Sequence, residues 1–342
     1  MVDCKLSVVS GGSTVTPANV NINIKRKVGD KLIRNKIICG DSIDVLRSMP
    51  DESIDLVVTS PPYFNVRDYS LWPTFAEYMA DMRMVFEGVY RTLKNHRYVV
   101  VNVGDVVSKG TIEPKWAKRK YALGAHFTVM LEEIGFTFVD DFIWDKGEPQ
   151  SKRHLGNPPY PFYQYPVNCY EHIIVFVKHE LDKTKIPCPV CNEIITQSNS
   201  QTTAGVQSWE CKNPDCPQKS ASGRGKRFSA RSVMMDEYKR PENEISEEFI
   251  AKWRRDIVRI NPVKKINSKG ENVLGHTAPF PEDIPEMAIR YFSGVGDVVL
   301  DPFVGSGTTA IVAAKNGRDY IGIDISEEYC ELARKRVAEA IK

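Results

Sequence analysis

Apolar and polar positions alternate along most of this chain in two different periods. Short apolar runs rich in β-branched residues recur as KLIRNKIIC, IDLVV, RYVVVNV, FTFVDDFIW, CYEHIIVFV, DVVLDPF and DYIGID. Each has the length and character of a buried strand. Between them, DSIDVLRSM, FAEYMADMRMVFEGVYRTLK, KYALGAHFTVMLEEIGF, PEDIPEMAIRYFSG, GTTAIVAAKNG and EEYCELARKRVAEAIK place apolar residues three and four apart. That spacing predicts amphipathic helices, the first of them capped by Asp41 or Ser42. Strand and helix in turn predict an α/β fold with a doubly wound, mostly parallel sheet.

The alternation breaks from about Lys178 to Gly270, where the chain is polar, basic and cysteine-bearing. The expected organisation is therefore a polar N-terminal arm (1–30), a first α/β part (31–178), an insert (179–270) and a second α/β part (271–342). No internal repeat is visible. No apolar run approaches the ~18 residues of a membrane span, and the first residues lack the form of a signal peptide.

Composition adds little: 42% hydrophobic and 26% charged residues in 342, with a net charge of +2. Bulk charge implies no nucleic-acid partner, so any basic surface must be local. Four of the eight cysteines are scattered, but Cys188, Cys191, Cys211 and Cys216 cluster as CPVC and CKNPDC. Two such pairs suit tetrahedral Zn²⁺ with four thiolates better than disulfides. The metal would hold up an insert too small and polar for a core of its own. Four protein ligands leave no open position for catalysis.

Two strand ends carry candidate chemistry. DVVLDPF runs into Val304-Gly305-Ser306-Gly307-Thr308-Thr309 and a helix. Glycines at such a turn let a ligand approach the backbone, beside the free N–H groups of the helix start. The next strand ends in Asp324, placed to accept both hydroxyls of a ribose. No lysine follows the glycines, which argues against a P-loop, and the full GxGxxG fingerprint of nicotinamide binding is missing. Asp301 and Phe303 add a carboxylate and an aromatic ring, which suit a cationic adenosyl ligand. At the other strand end, IDLVV stops at Ser60-Pro61-Pro62-Tyr63. Prolines lack N–H groups, so carbonyls there escape the backbone ladder. With the Ser60 hydroxyl they offer acceptors for an exocyclic amino group, and Tyr63 can stack on its ring.

TSPPY together with DPFVGSGTT closely resembles the amino-methyltransferases of DNA. Gly40-Asp41, Leu93-Lys94, Trp144 with Lys146, Glu171-His172 and the segment His276-Thr277-Ala278-Pro279-Phe280-Pro281 are similar to further family features. The catalytic corner precedes the cofactor turn, which resembles the circularly permuted β class. The resemblance implies a class I fold that binds S-adenosylmethionine through Asp41, His276, Pro279, Phe280, Asp301, Phe303, Gly305, Gly307, Thr308, Thr309 and Asp324. It implies methyl transfer, without a covalent intermediate, to an amino group of a base flipped out of double-stranded DNA. The Pro-Cys nucleophile of ring-carbon methylation is absent; Cys216-Pro217 has the reverse order.

Serine ahead of Pro-Pro-Tyr resembles the cytosine-N4 members and favours them over adenine-N6. Other readings are adenine-N6, RNA or protein-amide methylation, an inactive zinc-bearing DNA-binding protein, or a nicotinamide oxidoreductase. The first basic loop, 151–166, holds Lys152 and Arg153; the second holds Arg224, Lys226 and Arg227. Both are candidates for DNA phosphate contacts. Asn157-Pro158-Pro159-Tyr160 mimics a catalytic motif, but no β-branched strand leads into it. The resemblance places such a protein in the cytoplasm of a prokaryote or of a cell infected by its virus. A cognate restriction endonuclease is a candidate partner.

Overall fold

β-Branched runs and amphipathic helices sort into three layers. The computed structural model describes residues 32–66, 71–107, 120–147, 168–181, 185–201, 206–218, 223–229, 231–233, 239, 241–263 and 280–342. The N-terminal arm, the 151–166 loop with Lys152 and Arg153, and His276 and Pro279 lie outside them.

Eight strands form the main sheet: β1 (Lys36–Cys39), β2 (Ile54–Thr59), β3 (Leu93–Val103), β6 (Thr137–Asp145), β7 (Tyr170–Val177), β11 (Ile257–Arg259), β12 (Val298–Asp301) and β13 (Asp319–Asp324), in the order β1-β13-β12-β2-β3-β7-β6-β11. All neighbours run parallel except at β7, which is antiparallel to both β3 and β6. The mostly parallel sheet is thus as expected.

Side-chain alternation divides the core. Val57, Val99, Val101 and Leu300 face one cluster, with Leu46 of helix α1 (Ser42–Ser48), Phe86 of α2 (Phe75–Thr92) and Phe127 of α3 (Leu123–Ile134). Leu56, Val58, Val100 and Val299 face the other, with Met287 of α5 (Asp283–Phe292), Ile311 of α6 (Thr308–Lys315) and Val337 of α7 (Glu327–Ala340). Strands covered on both faces read as continuous apolar runs, which is why IDLVV and RYVVVNV lack polar alternation.

Two boundaries differ from expectation. Helix α2 stops at Thr92, and β3 begins at once at Leu93. The turn is absorbed within the strand, where His96 takes φ +64° and its N–H bonds the Lys178 carbonyl. Residues 247–260, expected in the insert, belong to the main sheet. Helix α4 (Glu247–Trp253) buries Trp253 on the second cluster, and β11 pairs with β6.

Among the described residues of the rest of the insert, β8 (Thr196–Gln201), β9 (Gln207–Cys211) and β10 (Arg227–Phe228) form an antiparallel sheet. Its small core is Cys188, Trp209, Cys211, Cys216 and Phe228. Gly225 is required there, because a Cβ would fall 1.7 Å from the Cys211 carbonyl oxygen. A short ribbon pairs β4 (Val106–Val107) with β5 (Lys120–Tyr121). Among the described residues, no helix is long and apolar enough to cross a membrane.

Candidate active site

The sheet reverses direction of growth between β12 and β2. From β12 the chain crosses through α6 to β13 on one side; from β2 it crosses through α2 to β3 on the other. Crevices at the carboxyl ends of strands beside such a switch point bind ligands. The two motifs singled out by sequence end these two adjacent strands.

Asp301 joins them. Thr59 at the end of β2 donates to its Oδ1 at 2.7 Å, Thr309 of α6 donates to its Oδ2 at 2.7 Å, and the Phe303 N–H bonds Oδ1 at 3.0 Å. The carboxylate is buried, 2% exposed. These bonds make Asp301 a bracket between the corner and the glycine turn. Thr309 likewise spends its hydroxyl inside the protein.

Burial pushes the Asp301 carboxyl up to about 6, against hydrogen bonds that favour its anion. The folded state then holds this proton more tightly than the unfolded chain does. The stability contributed by protonation is complete below about pH 4 and lost as pH rises through about 6, a span worth about 3 kcal/mol. We expect the unfolding free energy of the wild type, relative to D301N, to fall by about that amount between pH 4 and pH 7. Denaturant melts at both pH values check this; a constant difference would return Asp301 to an ordinary pKa.

The glycine turn is built for close approach. Gly305 and Gly307 have φ of +49° and +86°, and a Cβ on Gly307 would sit 3.0 Å from that of Ala333. Gly307 is the N-cap of α6, so Thr308 and Thr309 open the helix. Asp324 stands across the turn: Oδ2 accepts the Gly305 N–H at 3.0 Å and Oδ1 the Ser326 N–H at 2.9 Å. Its burial raises its pKa. Phe303 is half-buried against the first core cluster, while Phe280 packs on the second. Asp41 caps α1 by accepting the Ile43 N–H at 2.8 Å, and Ser42 ties α1 to the Pro302 carbonyl at 2.5 Å. Asp41 is thus first a helix cap.

At the proline corner, the Tyr78 hydroxyl donates to the Pro62 carbonyl at 3.0 Å. One lone pair of that carbonyl is thereby used within the protein. The Pro61 carbonyl accepts nothing from the described residues. Tyr63 donates to Glu171 Oε2 at 2.8 Å, and Glu171 Oε1 forms an ion pair with Lys146. Ser60 and the backbone of Gly104 lie close enough to the phenolic oxygen to favour its ionised form, against burial. Burial, then the Glu171 charge, drives the Tyr63 pKa well above its ordinary value, so the phenol is neutral and donates. Phe64 is core, in ring contact with Phe75, Tyr78 and Tyr121.

In the knuckle, the Sγ atoms of Cys188, Cys191, Cys211 and Cys216 all lie within 4.8 Å of one another, and none forms a disulfide. Cys191 and Cys211 Sγ are 3.7 Å apart. Four thiolates at about 2.3 Å from one tetrahedral ion lie about 3.8 Å from each other. Arg227, exposed, stands 3.8 Å from Glu210, which also holds Lys212 at 2.6 Å. The basic loop therefore meets an acid across β9 that its own sequence does not show. Arg224 is exposed and Lys226 half-buried.

The profile of the N6/N4 DNA methylase family matches residues 54–335, from the start of β2 into α7. The chain belongs to that family. Among curated relatives, the type II beta methyltransferase M.BslI of Bacillus sp. (strain NEB-606) is 36% identical over 307 residues. The match covers 89% of this chain but 27% of M.BslI, so the chain spans about a quarter of that relative. The orphan methyltransferase M.BamHII of Bacillus amyloliquefaciens is 28% identical over 296 residues, covering 85% of this chain and 91% of the relative. In fold, this methylase family member is similar to TTHA0409 of Thermus thermophilus, solved with S-adenosyl-L-methionine. The TM-score is 0.59 at 24% identity, over 90% of this chain and 94% of that one.

Proposed function

We propose that the protein transfers a methyl group from S-adenosylmethionine to the N4 amino group of a cytosine flipped out of double-stranded DNA. The observation that carries this reading is the Thr59–Asp301 bond, which sets TSPPY beside DPFVGSGTT on one sheet edge. It also supports the permuted arrangement, with the catalytic half first, the recognition insert between, and the cofactor half last.

The residues fit the cofactor. The Gly305 and Gly307 N–H groups are held by Asp324 Oδ2 and the Val304 carbonyl, so the turn is shaped from within, and the start of α6 faces the methionine end as an anion-favouring helix N-terminus does. Asp324 keeps lone pairs for ribose hydroxyls, and Phe303 offers an apolar edge to the purine. When bound, the cofactor would supply an electrophilic methyl on a sulfonium that leaves as a neutral thioether with the C–S electron pair, and the amino proton released would pass to solvent. The protein's task is to localise a delocalised lone pair. The Pro61 carbonyl and the Ser60 oxygen accept the two amino hydrogens and draw the nitrogen toward tetrahedral geometry. Tyr63 stacks on the ring. Alignment of nitrogen and methyl carbon can contribute roughly 7–11 kcal/mol. Flipping the base costs a few kcal/mol, which basic side chains on the DNA backbone help offset. Arg224, Lys226 and Arg227 are candidates for those contacts. The four cysteines fit a structural zinc ion.

Incubation with labelled S-adenosylmethionine and duplex DNA, followed by nucleoside analysis, tests the reading. N4-methyldeoxycytidine supports it; N6-methyldeoxyadenosine moves the same site to adenine; duplex binding without transfer leaves a DNA-binding protein only. Asp324→Ala is expected to weaken cofactor binding about tenfold or more, as loss of a hydrogen-bonded charge does. Unchanged affinity by calorimetry would remove Asp324 from the site.

A further inference from the structure

Glu171 lies at the start of β7, the one strand of the main sheet that runs against its neighbours. Its carboxylate therefore reaches the edge where the parallel strands end. No role for it follows from local sequence. Gly104, at the end of β3, makes room for it: a Cβ there would meet Glu171 Cγ at 2.7 Å. Lys146, just beyond β6, pairs with Oε1 and sits 4.9 Å over the Trp144 ring. Trp144 is itself fixed, its Nε1–H bonding the Ile260 carbonyl at 2.8 Å. A carboxylate paired with lysine is an acceptor only. The Tyr63 hydroxyl must then donate toward it, as the 2.8 Å contact shows. The phenolic oxygen is left to accept, and Ser60 lies close to it.

Resting on the methyltransferase reading above, we propose that Glu171 is a positioning residue that fixes the direction of a hydrogen-bond chain from Ser60 through Tyr63, so that the Ser60 oxygen presents lone pairs to the target amino group. Without Glu171, Tyr63 is free to donate to Ser60, and the serine hydrogen turns toward the amino group it should be accepting from. The same contact holds the Tyr63 ring at the angle required for stacking.

Steady-state kinetics of wild type, Tyr63→Phe, Glu171→Gln and the double variant on duplex DNA test this. Each single change should lower kcat on the order of 10- to 100-fold, with the cofactor Kd and DNA KM within about threefold. The double variant should fall no lower than the worse single one, because both act on one chain of bonds. A Glu171→Gln variant within twofold of wild-type kcat overturns the proposal. So does a rise in KM alone, or losses that multiply in the double variant. Should Glu171→Gln not fold, Tyr63→Phe decides: wild-type kcat there overturns it. Wild-type protein that transfers no methyl overturns the function reading and this inference together, whereas an active wild type with unaffected variants overturns the inference alone.

Discussion

Extraction of zinc is expected to unfold the knuckle of residues 185–229 while the eight-stranded sheet stays folded. The small core there is one tryptophan, one phenylalanine and the cysteines themselves. So few buried side chains do not offset the chain entropy of ordering the loops around them. Burial in that core pushes the Cys211 thiol up to about 12, whereas a hydrogen bond from the Glu193 backbone brings Cys191 down to about 7; a bound cation favours the ionised form. Structural zinc in isolated fingers contributes about 10–16 kcal/mol, and that binding energy is folding energy. Trp209, 6% exposed, should shift its emission to the red on chelation, and the four thiols should become reactive together. Metal analysis should give one zinc per chain. A protein that purifies without zinc, and whose fluorescence ignores a chelator, would end this account of the insert.

Tyr63→Ala is expected to lower methyl transfer about 10- to 100-fold. Base–aromatic stacking alone is worth about 1–3 kcal/mol, and the substitution also removes the hydroxyl that Glu171 holds. Cofactor affinity should stay within a few fold, because the glycine turn follows β12 and Asp324 ends β13, while the hydroxyl of Tyr63 is held by Glu171 of β7. The contrast between a fallen rate and a preserved Kd is the informative result. Parallel loss of both, with a lowered melting temperature, would show that the corner serves the core.

Much of this site could be read from local sequence, because strand ends and glycine turns are written in adjacent residues. The strands IDLVV and DVVLDPF, the helix after GSGTT and the cysteine pairs all appear as expected. What escaped was pairing across distance. Asp301 meets Thr59 from 242 positions away, and Glu171 meets Tyr63 from 108; no local pattern marks either contact. The use of the Pro62 carbonyl by Tyr78 is tertiary in the same sense. Direction escaped too: CYEHIIVFV shows a strand, but periodicity is the same whichever way it runs, and only the reversed β7 brings Glu171 to the site. Strand β11 was hidden because RDIVRI is short and flanked by charges, and its pairing with β6 outweighs that composition.

The order of strands also bears on how the protein is made. Strands β12 and β13 come after the other strands in chain order, yet they lie between β1 and β2, the first two. A nascent chain therefore holds two open sheet edges until residues 298–324 emerge and enter the gap. Bare edges are sticky, so a chain that stops anywhere before residue 298 is expected to aggregate.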